Sequence, residues 1–245
     1  EWGPGKEVLD SLKVRGLAGA LFAVRSSAVQ EDRQEAAFAG AAETYLYVDS
    51  ESVLEKIVEN WASFWLPRGI QYRWQQGITS AELRPAVTIQ KMANAEAAGV
   101  MFTVNPVSGR RDVVINAAFG LGEGVVSGLV SADQYTANRE GEEIVPPVLG
   151  SKKVKVVRKA EGVGTEVRRV PPKQRRRRSL TPEQVRQLTG IGAALEDYFG
   201  YPLDIEFGIE GDRVVILQAR PVTVSGVKAD PRTGAVPVQD REVLR

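Results

Sequence analysis

The sequence predicts an α+β fold of antiparallel strands packed with amphipathic helices, and three observations carry that expectation. Leu203 to Thr223 reads as a β-hairpin: Leu203, Ile205, Phe207 and Ile209 alternate with Asp204 and Glu206, a Glu-Gly-Asp-Arg turn follows, and Val214 to Thr223 returns. Thr181-Pro182-Glu183-Gln184 opens a helix with a cap, proline at the first position and glutamine at the capping-box position; Val185, Leu188, Ile191 and Leu195 form its apolar face and Gly200 its stop. Ser52 with Glu55 forms a capping box, after which Val53, Leu54, Ile57, Val58, Trp61, Phe64 and Trp65 fall on one helical stripe that reads as core.

The remaining elements follow in order. Residues 1–20 are glycine-rich and read as a partial lead-in, with a short helix available at Glu7 to Leu17. Leu21 to Val24 is an apolar strand that runs into Arg25-Ser26-Ser27-Ala28, a basic residue, two hydroxyls and a small residue that suit an anion at a strand end. Phe38-Ala39-Gly40-Ala41 is either a flap whose backbone amides can approach a phosphate or a plain β-turn, and the strand Thr44 to Val48 follows. A second helix is expected from about Arg68 to Gln76, stopped by Gly77. Ala86 to Met92, Gly99 to Val104 and Val113 to Ala118 read as strands. Phe119 to Gly124 fails the Gly-x-Gly-x-x-Gly register, because the third position falls on Val125 or Ser127, and reads as a tight loop. Val154 to Arg158 and Glu166 to Val170 read as strands of a basic, exposed segment that leads into Lys173-Gln174-Arg175-Arg176-Arg177-Arg178; such a run suggests nucleic acid or a localisation signal, but one this short in a near-neutral chain reads as a solvated loop. The chain thus divides into residues 1–20, 21–85, 86–225 and a linker or tail at 226–245.

Composition limits the chemistry. A chain of 245 residues can bury a real core, and 32 Lys+Arg against 31 Asp+Glu gives +1, with no global pull toward nucleic acid or membrane. Cysteine is absent, so there is neither a disulfide framework nor a thiolate metal site. No apolar run approaches the roughly 20 residues of a membrane span, so a cytoplasmic location is expected. Histidine is absent too, which removes an imidazole base, a histidine-activated nucleophile and a phosphohistidine carrier from this chain. Catalysis here has to use carboxylates, Lys, Arg, backbone amides and a metal.

The hairpin offers such a set. A three-residue turn over Gly211 to Arg213 sets Glu206 across from Gln218 and Asp204 across from Arg220; a two-residue turn would break that pairing. A carboxylate beside an amide oxygen, with a guanidinium one step along, is a plausible cradle for Mg²⁺ and polyphosphate. The competing reading is an ordinary amphipathic hairpin with a solvated face.

Eight segments occur in a fixed order that resembles one family: Val24-Arg25-Ser26-Ser27-Ala28, Phe38-Ala39-Gly40, Thr44-Tyr45-Leu46, Ile89-Gln90-Lys91-Met92, Gly99 to Pro106, Gly120-Leu121-Gly122-Glu123, Asp204-Ile205-Glu206 and Leu217 to Thr223. Over about Leu21 to Thr223 the chain resembles the ATP-grasp nucleotide-binding domain of phosphoenolpyruvate synthase (pyruvate, water dikinase). It is also similar to the matching domains of pyruvate phosphate dikinase and rifampicin phosphotransferase. The resemblance implies an ATP-grasp-like α+β fold enclosing a nucleotide cleft, with ATP and Mg²⁺ as ligands. It implies that Arg25 contacts the triphosphate, that Phe38, Ala39, Gly40 and Ala41 fold over it with Thr44 nearby, and that Gln90 and Met92 line the adenine pocket. Glu206 and Gln218 would hold Mg²⁺, Arg220 would grip the terminal phosphate, and the three-residue turn is the one expected. It further implies phosphoryl transfer from ATP to a histidine on another domain or subunit and then to pyruvate, with an antibiotic hydroxyl or a degenerate non-catalytic module as alternatives. The family's amino-terminal lysine segment has no counterpart before Leu21, so a fragment, split subunit or degenerate copy is expected.

Overall fold

The computed structural model describes residues 3–27, 43–75, 77, 79 and 85–222. Among them, three antiparallel sheets pack with helices, and the α+β expectation holds.

The first sheet is small. Strands β1 (Phe22–Ser26), β2 (Thr44–Val48) and β3 (Val87–Lys91) are ordered β2-β1-β3. Its apolar face packs on α1 (Gly3–Val14) and α2 (Val53–Ser63), where Leu12, Phe22, Val24, Val48, Val53 and Ile57 form a core, and α3 (Pro67–Gln75) follows. The opening residues are therefore part of the packed unit: the helix starts at Gly3, and Val8 and Leu12 touch this core. The cap of α2 differs from expectation. Ser52 has helical φ/ψ (−86°, −10°) and makes no side-chain cap, because a capping hydroxyl needs an extended backbone to reach back; Asp49 accepts from the Ser52 N–H instead, at 2.8 Å. Only part of the expected aromatic stripe is core. Phe64 is fully buried, while α2 ends at Ser63 and leaves Val58 and Trp65 about half exposed.

The second sheet carries the larger core. Strands β4 (Ala97–Phe102), β5 (Val113–Phe119), β6 (Asp133–Ala137), β7 (Glu143–Val148), β10 (Leu203–Glu210) and β11 (Arg213–Pro221) run in the order β11-β10-β4-β5-β6-β7. One face lies under α6 (Pro182–Phe199), whose Val185 and Leu188 join Met101, Ile115, Tyr135, Leu203, Ile205 and Phe207. Each such side chain contributes about 1.5–3 kcal/mol on burial. The start of α6 forms as its sequence dictates. Thr181 Oγ1 accepts from Gln184 N, Gln184 Oε1 accepts from Thr181 N, and Gly200 closes the helix in the left-handed region.

Strands β6 and β7 escape the sequence reading, and for β6 the reason is physical. Asp133 and Lys152 are both fully buried and paired, Asp133 also accepts from Gly150 N and Ser179 N, and Tyr135 OH accepts from Leu180 N. A polar cluster thus occupies positions where periodicity looks for apolar residues. Between β5 and β6 lies the short helix α4 (Glu123–Val126). Strands β8 (Val154–Arg158) and β9 (Thr165–Arg169) form a separate two-stranded hairpin, and the short helix α5 (Pro172–Arg175) follows it.

Candidate functional site

Strands β10 and β11 pair as Leu203↔Pro221, Asp204↔Arg220, Ile205↔Ala219 and Glu206↔Gln218. Beyond Glu206 the register shifts, so that Phe207 meets Ile216 and Glu210 meets Arg213. The turn is therefore the two residues Gly211 and Asp212, and the expected three-residue turn is corrected. Gly211 sits at φ +60°, and the only described non-glycine residues at positive φ are Tyr47 and Lys152. A first central residue at positive φ is what recruits glycine to a II′ hairpin.

The expected pairing survives because a β-bulge at Leu217 compensates for the shorter turn. Val214, Ile216 and Ala219 all pack on the main core. Gln218 shares its parity with Val214 and Ile216 and would point into that core on a regular strand; one extra residue turns Gln218 and Arg220 to the face of Glu206 and Asp204. The sequence reading missed the bulge, although the break of apolar phase between Ile216 and Ala219 was a visible sign of it.

The first sheet approaches that face. Arg25 on β1 donates from Nη2 to Gln218 Oε1 at 2.5 Å, and the same nitrogen is 3.7 Å from Glu206 Oε2. Gln90 on β3 donates from Nε2 to the carbonyl of Leu217, the bulged residue, at 3.0 Å. Two strands of one sheet are thus tied to the edge hairpin of the other by side chains alone. Arg25 and Glu206 keep 22% and 23% of their side-chain surface, so the cluster is sheltered and still open to a ligand. Arg220 donates from Nε (2.9 Å) and lies within 2.8 Å through Nη2 of the same Asp204 oxygen, Oδ2; Asp204 Oδ1 is buried with no hydrogen-bond partner among the described residues.

Other expected site residues lie at varying remove. Thr44 is the register partner of Arg25 on β2. Met92, just past β3, donates its backbone N–H to Leu21 and packs its side chain with Tyr47, Leu121 and Val156. Phe38, Ala39, Gly40 and Ala41 lie outside the described residues. Among the described residues no group of three or more His, Cys, Asp or Glu is placed to hold a metal. The oxygen donors nearest to that role are Glu206, opposite Gln218, and the unpartnered Oδ1 of Asp204. Two or three oxygens fit Mg²⁺, which completes its shell with waters and phosphate oxygens.

A flanking pair bears on electrostatics near β2. The Lys56 ammonium, hydrogen-bonded to Glu59, is held above its usual pKa, and the Glu59 carboxyl is held below its own by the same bond. Burial, with Glu59 and Glu43 nearby, pushes the Tyr45 hydroxyl up. None of these groups touches the Arg25 cluster in a described contact.

Comparison with known proteins gives a consistent picture. The family model of the pyruvate phosphate dikinase AMP/ATP-binding domain matches residues 6–237. A probable phosphoenolpyruvate synthase of Archaeoglobus fulgidus is 45% identical over 202 residues, covering 82% of this chain and 27% of that protein. A rifampicin phosphotransferase of Bacillus cereus is 44% identical over 204 residues, covering 82% and 23%. The phosphoenolpyruvate synthase of Pyrococcus furiosus is 40% identical over 231 residues, covering 91% and 28%. The chain spans about a quarter of the length of these relatives.

Proposed function

The chain belongs to the pyruvate phosphate dikinase AMP/ATP-binding domain family, and from that premise we propose that it is the ATP- and Mg²⁺-binding, phosphoryl-donating module of a dikinase, with an ATP-grasp-like fold. The observation that carries this reading is the convergence of Arg25, Glu206 and Gln218 from two separate sheets, with Arg220 two residues along the same strand.

The triphosphate would lie between β1 and the β10–β11 hairpin. Arg25 then exchanges its bond to Gln218 Oε1 for phosphate oxygens, which a guanidinium grips in fork geometry. Glu206 and Gln218, freed to face the ligand, would hold Mg²⁺, which when bound supplies charge neutralisation across the phosphate oxygens. Arg220, held by Asp204, would grip the terminal phosphate from the same face. Arg25 and Arg220 carry the protein's share of the reaction, which is orientation and neutralisation of charge on the moving phosphoryl group, with little covalent chemistry. The phosphoryl group would pass to a histidine on another domain or subunit and from there to pyruvate, since this chain has no histidine. Identity of 44% to a rifampicin phosphotransferase, against 45% to a probable phosphoenolpyruvate synthase, supports a second reading in which the same module serves an antibiotic hydroxyl. No role for nucleic acid or membrane enters either reading.

Isothermal calorimetry of ATP with and without Mg²⁺ tests the proposal. Binding is expected to depend on Mg²⁺. Arg25→Ala, Glu206→Ala and Arg220→Ala each remove an interaction with a charged group, about 1.5–3 kcal/mol, or roughly 10- to 150-fold in affinity. No heat at millimolar nucleotide in the unsubstituted chain would overturn the reading.

A further inference from the structure

The loop Phe119 to Glu123 and the β8–β9 hairpin have no part in the nucleotide chemistry above, yet together they touch both sheets. No strand of the first sheet pairs with a strand of the second among the described residues. Leu121 N donates to the carbonyl of Val156 on β8 at 2.9 Å. Gly120, at φ +86°, lies so near that strand that a Cβ would fall 2.3 Å from the same carbonyl. Leu121 and Val156 are buried with Tyr47 of β2, and Leu21, Leu46 and Met92 from around the first sheet close over them. Tyr47 holds a left-handed backbone, φ +57°, with its ring buried and the Arg158 guanidinium 5.6 Å from the ring centre. An aromatic residue keeps that conformation only where its surroundings over-determine it. At the hairpin's far end, Val163 packs on the first sheet's core, and Thr165 Oγ1 donates to Glu123 Oε2 at 2.9 Å.

We propose that the β8–β9 hairpin is a strap that sets the approach of the first sheet to the second. Arg158 and Val163 are then positioning residues for Arg25 and Gln218. The hairpin holds the first sheet through Tyr47 and Val163, and the second through Leu121 and Glu123. Among the described residues, side-chain hydrogen bonds from Arg25 to Gln218 and from Gln90 to Leu217 join the sheets at the candidate site. A ligand that enters there must replace the first of these, so something else has to keep the two walls at their spacing while it does. The strap supplies that second anchorage without touching the ligand. Its consequence for nucleotide binding rests on the function proposed above, whereas its consequence for the distance between the sheets does not.

The absence of cysteine makes a direct test available. Lys91→Cys on β3 and Arg213→Cys on β11, both exposed, accept nitroxide labels at those positions alone, and pulsed electron resonance reads the distance between the sheets in the nucleotide-free chain. The expected result is a narrow distribution that broadens in the Arg158→Ala/Val163→Ser background and narrows again when Arg158→Lys restores a cation over Tyr47. Mg-ATP affinity in the same background is expected to fall about tenfold, as misplacement of binding groups predicts. An unchanged distribution overturns the strap, and broadening with unchanged affinity overturns the positioning role. Should the double variant fail to fold, Thr165→Val, which removes only the bond to Glu123, is read in the same way. If the unsubstituted chain binds no ATP, the distance measurement still decides the strap while the proposed function falls.

Discussion

Asp204 commits one carboxylate oxygen to Arg220 and, among the described residues, leaves the other buried without a hydrogen-bond partner. Asp204→Asn keeps the shape and removes the charge that aims the guanidinium. We expect Mg-ATP affinity to fall by about 1–3 kcal/mol, measured by calorimetry, with less than that lost in unfolding free energy. Lys152 shows the opposite balance. Its ammonium is fully buried against Asp133, and Lys152→Ala leaves that carboxylate uncompensated, at a cost of about 3–5 kcal/mol in urea unfolding. Legibility from sequence divides along the same line. Glu206, Gln218 and Arg220 stand out because polar residues interrupt an apolar alternation on a strand. Asp133 and Lys152 look like ordinary surface charges, since the partner that permits their burial lies nineteen residues away.

At the level of elements, the bulge in β11 reconciles the two-residue turn with the Glu206–Gln218 pairing. Deleting Leu217 is expected to leave Gln218 opposite Glu206, because Phe207 already meets Ile216, and to remove the carbonyl that Gln90 grips; nucleotide binding should therefore persist by calorimetry while the thermal unfolding midpoint falls. Strand β6 adds a pH dependence. Burial raises the Tyr135 hydroxyl above its usual value near 10. A folded-state pKa raised above the unfolded one contributes stability that is complete below about pH 10 and lost as pH rises toward the folded value. Alkaline unfolding of the unsubstituted chain should therefore steepen above pH 10. Tyr135→Phe should soften that slope while costing about 1–3 kcal/mol at neutral pH, because the Leu180 N–H loses its acceptor. Helix α6 was fully legible, since its cap, first-turn proline and terminal glycine act locally. The cap of α2 was not, because a tight turn supplied Asp49 where the motif offered Ser52.

Across the whole molecule, charge is unevenly spread. Residues 152–178 hold 12 basic and two acidic side chains, while the chain as a whole is nearly neutral. Apart from buried Lys152, these charges sit on the β8–β9 hairpin and the segment that contains α5, and no described bond from them reaches Arg25, Glu206, Gln218 or Arg220. Replacing Arg175, Arg176, Arg177 and Arg178 together by Ser should leave Mg-ATP affinity within about twofold at 0.15 M salt, where exposed charges are screened beyond about 8 Å. A larger loss would join that run to the site. No helix of the described residues is long and apolar enough to cross a membrane.

The Leu217 bulge also separates the Glu206–Gln218 pair from the tip of the hairpin. A two-residue turn with a bulge and a three-residue turn without one place the same number of residues between Glu206 and Gln218; only the location of the spare residue differs. Sliding that residue to the turn would take Val214 and Ile216 off the core face, so the packed core pins it beside Gln218. Gly211→Ala, strained at φ +60°, is expected to cost about 1 kcal/mol and alter amide exchange at the tip, yet leave nucleotide affinity unchanged. The hairpin keeps Glu206 and Gln218 in phase by holding its spare residue beside them, away from the turn.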